Sequence, residues 1–404
     1  MSYRSFRRKP ERRLSGLTAL ASLLMILTAG TTLSGCASDD DGDNWSVSAP
    51  VSAGQAIRLD SVASHEPASV YRLTYRSTDA RNPQQLVRVS AQVLVPRGPA
   101  PAGGWPVLAW AHGESGLHLT CAPSVMGIGT VQAHFYDGWL RQGFAIVATD
   151  YPGMGEPGAP LLLNARSEGM SVLDSVRAAR ERLPDLSENV VLNGHAQGGQ
   201  AALAAAAMAS TYAPHLRILG TIAAAPPYLD EQTAQELLHP ANPRSFSPAV
   251  PELLTLGQSL VEADPSTDIN EAFTPRGQRL LHDAGSMCAS DFFPVAKRSG
   301  LTPATLLEPE ASRVLAPVFD WAKYPGFSLP SPVLIESGTQ DLHTSTSQQK
   351  RLVSRLCAAG TPVTHRIHEA SHNGTLAAMI TEAHSFAGQL LQGTKPRSDC
   401  NSPG

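Results

Sequence analysis

The stretch Val190-Val191-Leu192-Asn193-Gly194-His195-Ala196-Gln197-Gly198-Gly199-Gln200-Ala201-Ala202-Leu203 passes from a buried-strand pattern through glycines into an Ala-rich helix pattern. Glycines two residues before and two after a central residue permit a strained strand-to-helix turn, which lifts the central side chain above a sheet at a helix N-terminus. That is the setting of a nucleophile for acyl transfer, yet the central residue is Ala196. The acid and base of such a site follow the nucleophile in chain order. Asp341 lies just beyond the apolar run 332–337 in a Gly-Thr-Gln turn, where a short carboxylate projects over a sheet edge. It is the expected acid, ahead of Glu336 and Glu369; the competing role for it is to cap a helix starting near Ser345. His372, in Ala370-Ser371-His372-Asn373-Gly374, falls in a loop between the last strand and the last helix, from which an imidazole reaches back over the turn. It is the expected base, ahead of His343, His365 and His368.

Positioning these groups requires a sheet. From Ser69 onward, short apolar runs alternate with amphipathic stretches, the pattern of a mostly parallel sheet covered by helices. Strands are predicted at 69–76, 86–95, 106–111, 144–149, 189–193, 217–223, 332–337 and 363–368, and helices near 131–142, 168–183, 197–210, 345–359 and 374–392. The interval 226–329 is too long for a loop. Its helical stretches, Glu231–Leu238, Val250–Ala263 and Pro275–Ala284, read as a helical cap whose Phe292, Phe293, Phe319, Trp321, Tyr324 and Phe327 either line a tunnel or pack the cap itself.

The 404 residues carry a formal charge of −4, 42% hydrophobic residues and no internal period, which excludes a disordered chain and a repeat protein. Arg4, Arg7, Arg8, Lys9, Arg12 and Arg13 precede an apolar stretch from Leu17 to Leu33, the layout of an export signal. Leu33-Ser34-Gly35-Cys36 resembles a bacterial lipobox, which implies cleavage after residue 35, lipidation of Cys36 and a cell-envelope location, with the outer membrane favoured by Ala37 and Ser38; a plain membrane anchor is the alternative. Residues 36–55, with Asp39-Asp40-Asp41-Gly42-Asp43, read as a tether. Without the signal, 25 basic face 34 acidic residues, so nucleic acid is not an expected partner. The expected organisation is a signal at 1–35, the tether at 36–55, a core at 56–225 and 330–395, the cap or lid at 226–329 and a tail at 396–404.

Gly194-His195-Ala196-Gln197-Gly198-Gly199 resembles the Gly-His-Ser-Gln-Gly-Gly of α/β-hydrolases in the secretory lipase family (yeast lipase A type), with the serine absent. His112-Gly113-Glu114-Ser115-Gly116 with Cys121-Ala122-Pro123-Ser124, then Asp150-Tyr151-Pro152-Gly153-Met154-Gly155, then Gly338-Thr339-Gln340-Asp341 with His372, fit the same family. The resemblance spans about residues 60 to 392. It implies an α/β-hydrolase fold, with an eight-stranded sheet and helical cap, that cleaves small-molecule or lipid esters through a Ser-Asp-His acyl-enzyme mechanism. Backbone N–H groups of Gln197 and of Gly113 or Glu114 would hold the oxyanion. Where the family pattern has a small hydroxyl residue this chain has Glu114, whose charge would repel an oxyanion unless it is protonated or turned away. Asp150 reads as a structural acceptor for backbone amides.

A methyl group at position 196 cannot attack an ester, so the chain is expected to be nearly inert as an esterase. Three explanations stand: a serine replaced by alanine in an active enzyme, a natural pseudoenzyme that binds acyl or ester ligands or a protein partner, or chemistry by the His-Asp pair without a covalent step. No cofactor or metal is implied, because His365 and His368 would point to opposite faces of a strand. Cys121, Cys288, Cys357 and Cys400 allow two disulfides in three pairings. Cys121 with Cys288 would tie the cap to the rim of the site, leaving Cys357 with Cys400 to pin the tail.

Overall fold

The structure, a computed structural model, describes residues 51–62 and 67–400. The export signal, Cys36 and nearly all of the tether lie outside the described residues.

The central strands are near-continuous apolar runs, as strands covered on both faces must be. Trp105–Ala111 (β4) lies between Ala145–Thr149 (β5) and Leu186–His195 (β6), and every residue of β5 is buried. Arg217–Ala224 (β7), Val333–Gly338 (β8) and Val363–His368 (β9) continue the parallel sheet on one side. On the other side Asn82–Pro96 (β3), Ala68–Asp79 (β2) and Ala56–Val62 (β1) run antiparallel. The order is β1-β2-β3-β5-β4-β6-β7-β8-β9. The sheet therefore has nine strands where eight are expected, and the additional one is β1. It is an edge strand with exposed Arg58, so only half of its pattern is apolar and it blends into the polar stretch before it.

Register lines up the carboxyl ends that matter: Ala111 lies opposite Gly194, and Gly194 opposite Ala223. The segments after β4, β6 and β8 consequently emerge at one edge, where open α/β sheets place their ligands. The helix Gln197–Tyr212 packs behind that edge on the helix Ala165–Arg182. Its Ala201, Ala202, Ala204 and Ala205 are wholly buried, and small side chains let the two helices meet closely at Gly169, where a Cβ would lie 2.9 Å from the Ala205 nitrogen.

Between β7 and β8 the chain forms helices at Glu231–Leu238, Ala249–Ala263, Pro275–Ser286 and Ala289–Arg298, followed by shorter ones. This insertion has its own apolar core, with Leu253, Leu254, Phe273, Phe292 and Leu306 almost inaccessible. Its aromatic residues mainly pack. Trp321 Nε1 donates to the Leu162 carbonyl at 3.0 Å, Tyr324 Oη donates to the Pro227 carbonyl at 2.7 Å, and Phe327 lies under the Arg355 guanidinium.

Two disulfides form, Cys121–Cys288 and Cys357–Cys400. The first is reinforced by a bridge between Gly116 and Cys288 and by the Ala289 N–H donating to the Ser115 carbonyl at 3.0 Å. It closes a loop of 167 residues. Replacing both of its cysteines by serine is expected to cost about 2–5 kcal/mol, read as a lower urea midpoint under non-reducing conditions, with Cys357–Cys400 left intact.

Candidate active site

The turn after β6 has the required geometry. Ala196 adopts φ 52° and ψ −122°, a conformation that costs a non-glycine residue about 1–3 kcal/mol. The flanking glycines are obligatory on steric grounds: a Cβ on Gly194 would lie 2.0 Å from the Gly198 carbonyl oxygen, and one on Gly198 would lie 1.9 Å from that of Ala111. Ala196 ends up at the head of the Gln197–Tyr212 helix, whose first N–H, that of Gln197, has no intrahelical acceptor. Gly113 is next to it, with its Cβ position 3.6 Å from the Ala196 Cβ.

Asp341 and His372 meet. His372 Nδ1 lies 2.8 Å from Asp341 Oδ2, and the carboxylate also accepts from the N–H groups of His343 and Thr344 at 2.8 and 2.9 Å and from Thr344 Oγ1 at 2.8 Å. Burial pulls the Asp341 carboxyl upward, but the bonds from His372 and from the two amides outweigh it and hold the group below its usual range. The loop expected around His372 is shorter than the sequence implies. Ser371 caps a helix, His372–Ala378, and His372 is its first residue, because the Ser371 hydroxyl accepts from the Gly374 N–H.

Four of the five competing residues are engaged elsewhere, and the fifth, Glu369, is exposed. Glu336 Oε2 is bonded to His368 Nε2, and burial pushes the Glu336 carboxyl up to about 8. His365 Nε2 is 2.8 Å from Ser337 Oγ. His343 Nδ1 bonds to Glu252 Oε1 on the helix Ala249–Ala263. His195 Nε2 is 2.9 Å from the His372 carbonyl oxygen; burial lowers this imidazole to about 4, so near neutrality it is uncharged and its Nε2–H donates. Asp150 accepts from the Ser124 N–H at 3.1 Å and from Ser90 Oγ at 2.6 Å, deep in the core.

A cavity of about 480 Å³ opens over Ala196. Gly113, Glu114, His195, Gln197 and His372 form its sheet side, and Leu237, Glu252, Leu256, Ala289, Ser290 and Phe293 of the insertion form the other. Glu114 Oε1 is shut off from solvent with no hydrogen-bond partner among the described residues. Burial, reinforced by the nearby Glu252 charge, pushes the Glu114 carboxyl up to about 8, so near neutrality it is an uncharged acid and the repulsion expected beside an oxyanion is absent.

Glu168 was invisible in the sequence, because a carboxylate in a helix's first turn reads as a solvent-facing partner of the helix dipole. Here it is buried, accepting from Gln197 Nε2 at 2.7 Å and from the Leu163 N–H at 2.8 Å, and so joins the elbow helix to the cavity wall. Burial raises its carboxyl from 4.5 to about 8. A group raised on folding stabilises the fold below its unfolded pKa, and that contribution is lost as pH rises through the folded value. At about 1.4 kcal/mol per unit the upper limit is roughly 5 kcal/mol. Glu168→Gln, which keeps the acceptor, is therefore expected to flatten the fall in stability between pH 5 and 9, as read from urea unfolding across that range.

Comparison with known proteins places this geometry. Over 166 residues, 38% of this chain and 34% of the relative, the sequence is 30% identical to lipase A of Moesziomyces aphidis, so the match spans about a third of that protein's length. The fold is similar to that of Candida antarctica lipase A in its closed state, with a TM-score of 0.72 at 22% identity over 87% of this chain and 85% of that one. It is also similar to the rice cell wall degrading esterase LipA of Xanthomonas oryzae, with a TM-score of 0.66 at 17% identity over 85% of this chain and 100% of that one. The sheet and its covering helices are those of lipase α/β-hydrolases. A model of the secretory lipase family matches residues 129–387, more than half of the sequence and including the elbow, Asp341 and His372, and the chain belongs to that family.

Proposed function

We propose that this is the scaffold of an exported carboxylic ester hydrolase with Asp341 and His372 as acid and base, position 196 as the site of the nucleophile, and Gln197 with Gly113 or Glu114 as oxyanion donors. The observation that carries this reading is the Asp341–His372 hydrogen bond at 2.8 Å on the same cavity as a strained, glycine-flanked elbow. In the serine form the hydroxyl would attack the ester carbonyl, His372 would take its proton and return it to the leaving alcohol, and Asp341 would orient the imidazole and stabilise its charged form. Water would then resolve the acyl-enzyme. With Ala196 the chain binds esters and turns them over barely at all, as an active enzyme lacking its serine.

The insertion 226–329 serves as the cap, because its helices supply the wall of the cavity facing the elbow. Lipid esters fit the apolar side of that cavity. The segment between β4 and β5, which carries Gly113 and Glu114, also exposes Val125, Met126, Ile128 and Val131, apolar side chains suited to contact with a lipid surface. The sequence around Cys36 supports a lipid-anchored mature protein on a tether, in the bacterial envelope. Ala196 itself favours a second reading, a natural pseudoenzyme that holds an acyl or ester ligand in the same cavity without cleaving it. Hydrolysis of p-nitrophenyl esters by the Ala196→Ser chain separates the two: turnover supports the hydrolase, and a folded but inactive serine form supports the binder.

A further inference from the structure

Glu252 and His343 take no part in the acyl-transfer scheme, yet His343 touches both residues that titrate in it. Its backbone N–H donates to Asp341 Oδ1 at 2.8 Å, and its ring lies 4.8 Å from the His372 ring, tilted by 39°. His343 Nδ1 is bonded to Glu252, 91 residues away in sequence, on the first turn of the insertion's Ala249–Ala263 helix. The other ring against His372, that of His195 at 4.9 Å, belongs to the elbow and is fixed by its bond to the His372 carbonyl. One neighbour of the base is thus held by the core, and the other by the insertion.

The charged and titratable groups facing His343 are Glu252, Asp341, Glu114 and His372. The bond to Glu252 raises the His343 imidazole above its usual range despite burial, and Glu114 is uncharged near neutrality. His343 therefore keeps its proton through the usual imidazole range, where a cation and an anion stand beside the base in the cavity wall.

We propose that the Glu252–His343 pair is a positioning device for His372: it braces the imidazole from the insertion, and its two opposite charges set the pH range over which His372 accepts a proton. This rests on His372 being the base. The consequence is specific to charge. Glu252→Gln removes the anion at constant shape and with it the bond that raises His343, so the two charges are lost together and the His372 titration moves little. His343→Phe keeps a ring in place but removes the cation and leaves Glu252 unpaired, which moves the titration to higher pH. A unit charge at the 4.8 Å separation of the two rings, at effective dielectric constants between 20 and 80, gives a shift of about 0.6–2.5 pH units.

The experiment is a titration of the His372 ring by carbon-detected NMR of histidine-labelled chain with Ala196 retained, the signal being assigned by its loss in His372→Ala. A shift to higher pH in His343→Phe and a much smaller one in Glu252→Gln are expected, and His343→Gln gives the sign if the phenylalanine variant fails to fold. No upward shift above 0.2 units in His343→Phe, or an equal shift in Glu252→Gln, overturns the proposal, even if both variants melt earlier. Because Ala196 is retained, the outcome does not depend on catalysis: if Ala196→Ser fails to hydrolyse esters while the expected shifts are present, the acyl-enzyme reading falls and the pair stands. In an active serine form, the acid limb of kcat/KM should move with the NMR titration.

Discussion

Ala196→Ser is expected to raise the hydrolysis of short and long p-nitrophenyl esters by at least about a thousandfold over the chain with alanine. Loss of the nucleophile in comparable triads costs about 10⁶-fold in turnover, and binding with oxyanion donors retains at most about 10³–10⁴ over water. The substitution adds a single oxygen to a site whose other parts are in place. Ala196 already holds the strained φ of 52° with a Cβ present, so serine brings no new backbone cost. Asp341 and His372 are bonded, Gln197 heads its helix, and the cavity above Ala196 is open to an ester. Assays with acyl chains of increasing length would also show how far the wall of Leu237, Leu256 and Phe293 admits substrate. A serine form that is folded, as judged by far-UV circular dichroism, yet no faster than the alanine form would leave the ligand-binding reading in possession of the site.

The elbow could be read in the sequence because its constraint is local. Gly194 and Gly198 are demanded by contacts within a few residues of Ala196 and by the neighbouring strand, and no other residue type fits. Asp341 could be read because it follows the apolar run Val333-Leu334-Ile335 by a short Gly-Thr-Gln turn. The three segments following β4, β6 and β8 could be read as converging because parallel strands must end at one edge. Nothing local marks Glu168 or Glu252, whose roles come from partners 29 and 91 residues away in the chain. The same holds for β1: its alternation is present in Ile57, Arg58, Leu59 and Asp60, but its place is fixed by pairing with β2, and an edge strand needs only one apolar face. His372 at a helix start, where a loop is expected, follows from one residue, because Ser371 is a capping side chain whose glycine partner, Gly374, reads equally well as a loop residue.

In the serine background, Asp341→Asn is expected to lower kcat about 10⁴-fold, the loss typical of exchanging a triad carboxylate for an amide, and His372→Ala about 10⁶-fold. Glu336→Gln should change kcat by less than about tenfold. Both acids are buried at the end of the same strand, and their surroundings decide between them. Asp341 accepts from two backbone amides, a threonine hydroxyl and His372, which together favour the charged form that an imidazolium needs beside it. Glu336 has Oε1 buried without a partner among the described residues and is pushed up to about 8, and its bond is to His368, not to His372. An asparagine at 341 keeps acceptor geometry on one atom, but the amide that replaces the other oxygen either donates to His372 Nδ1, forcing the proton onto Nε2, or turns away and loses the bond. In either case the imidazole is no longer available to take the serine proton. Steady-state rates for the three variants, measured at pH 7 with one ester, distinguish the acids directly: equal losses for Asp341→Asn and Glu336→Gln would mean that the two pairs act as one network, and a larger loss for Glu336→Gln would reassign the acid.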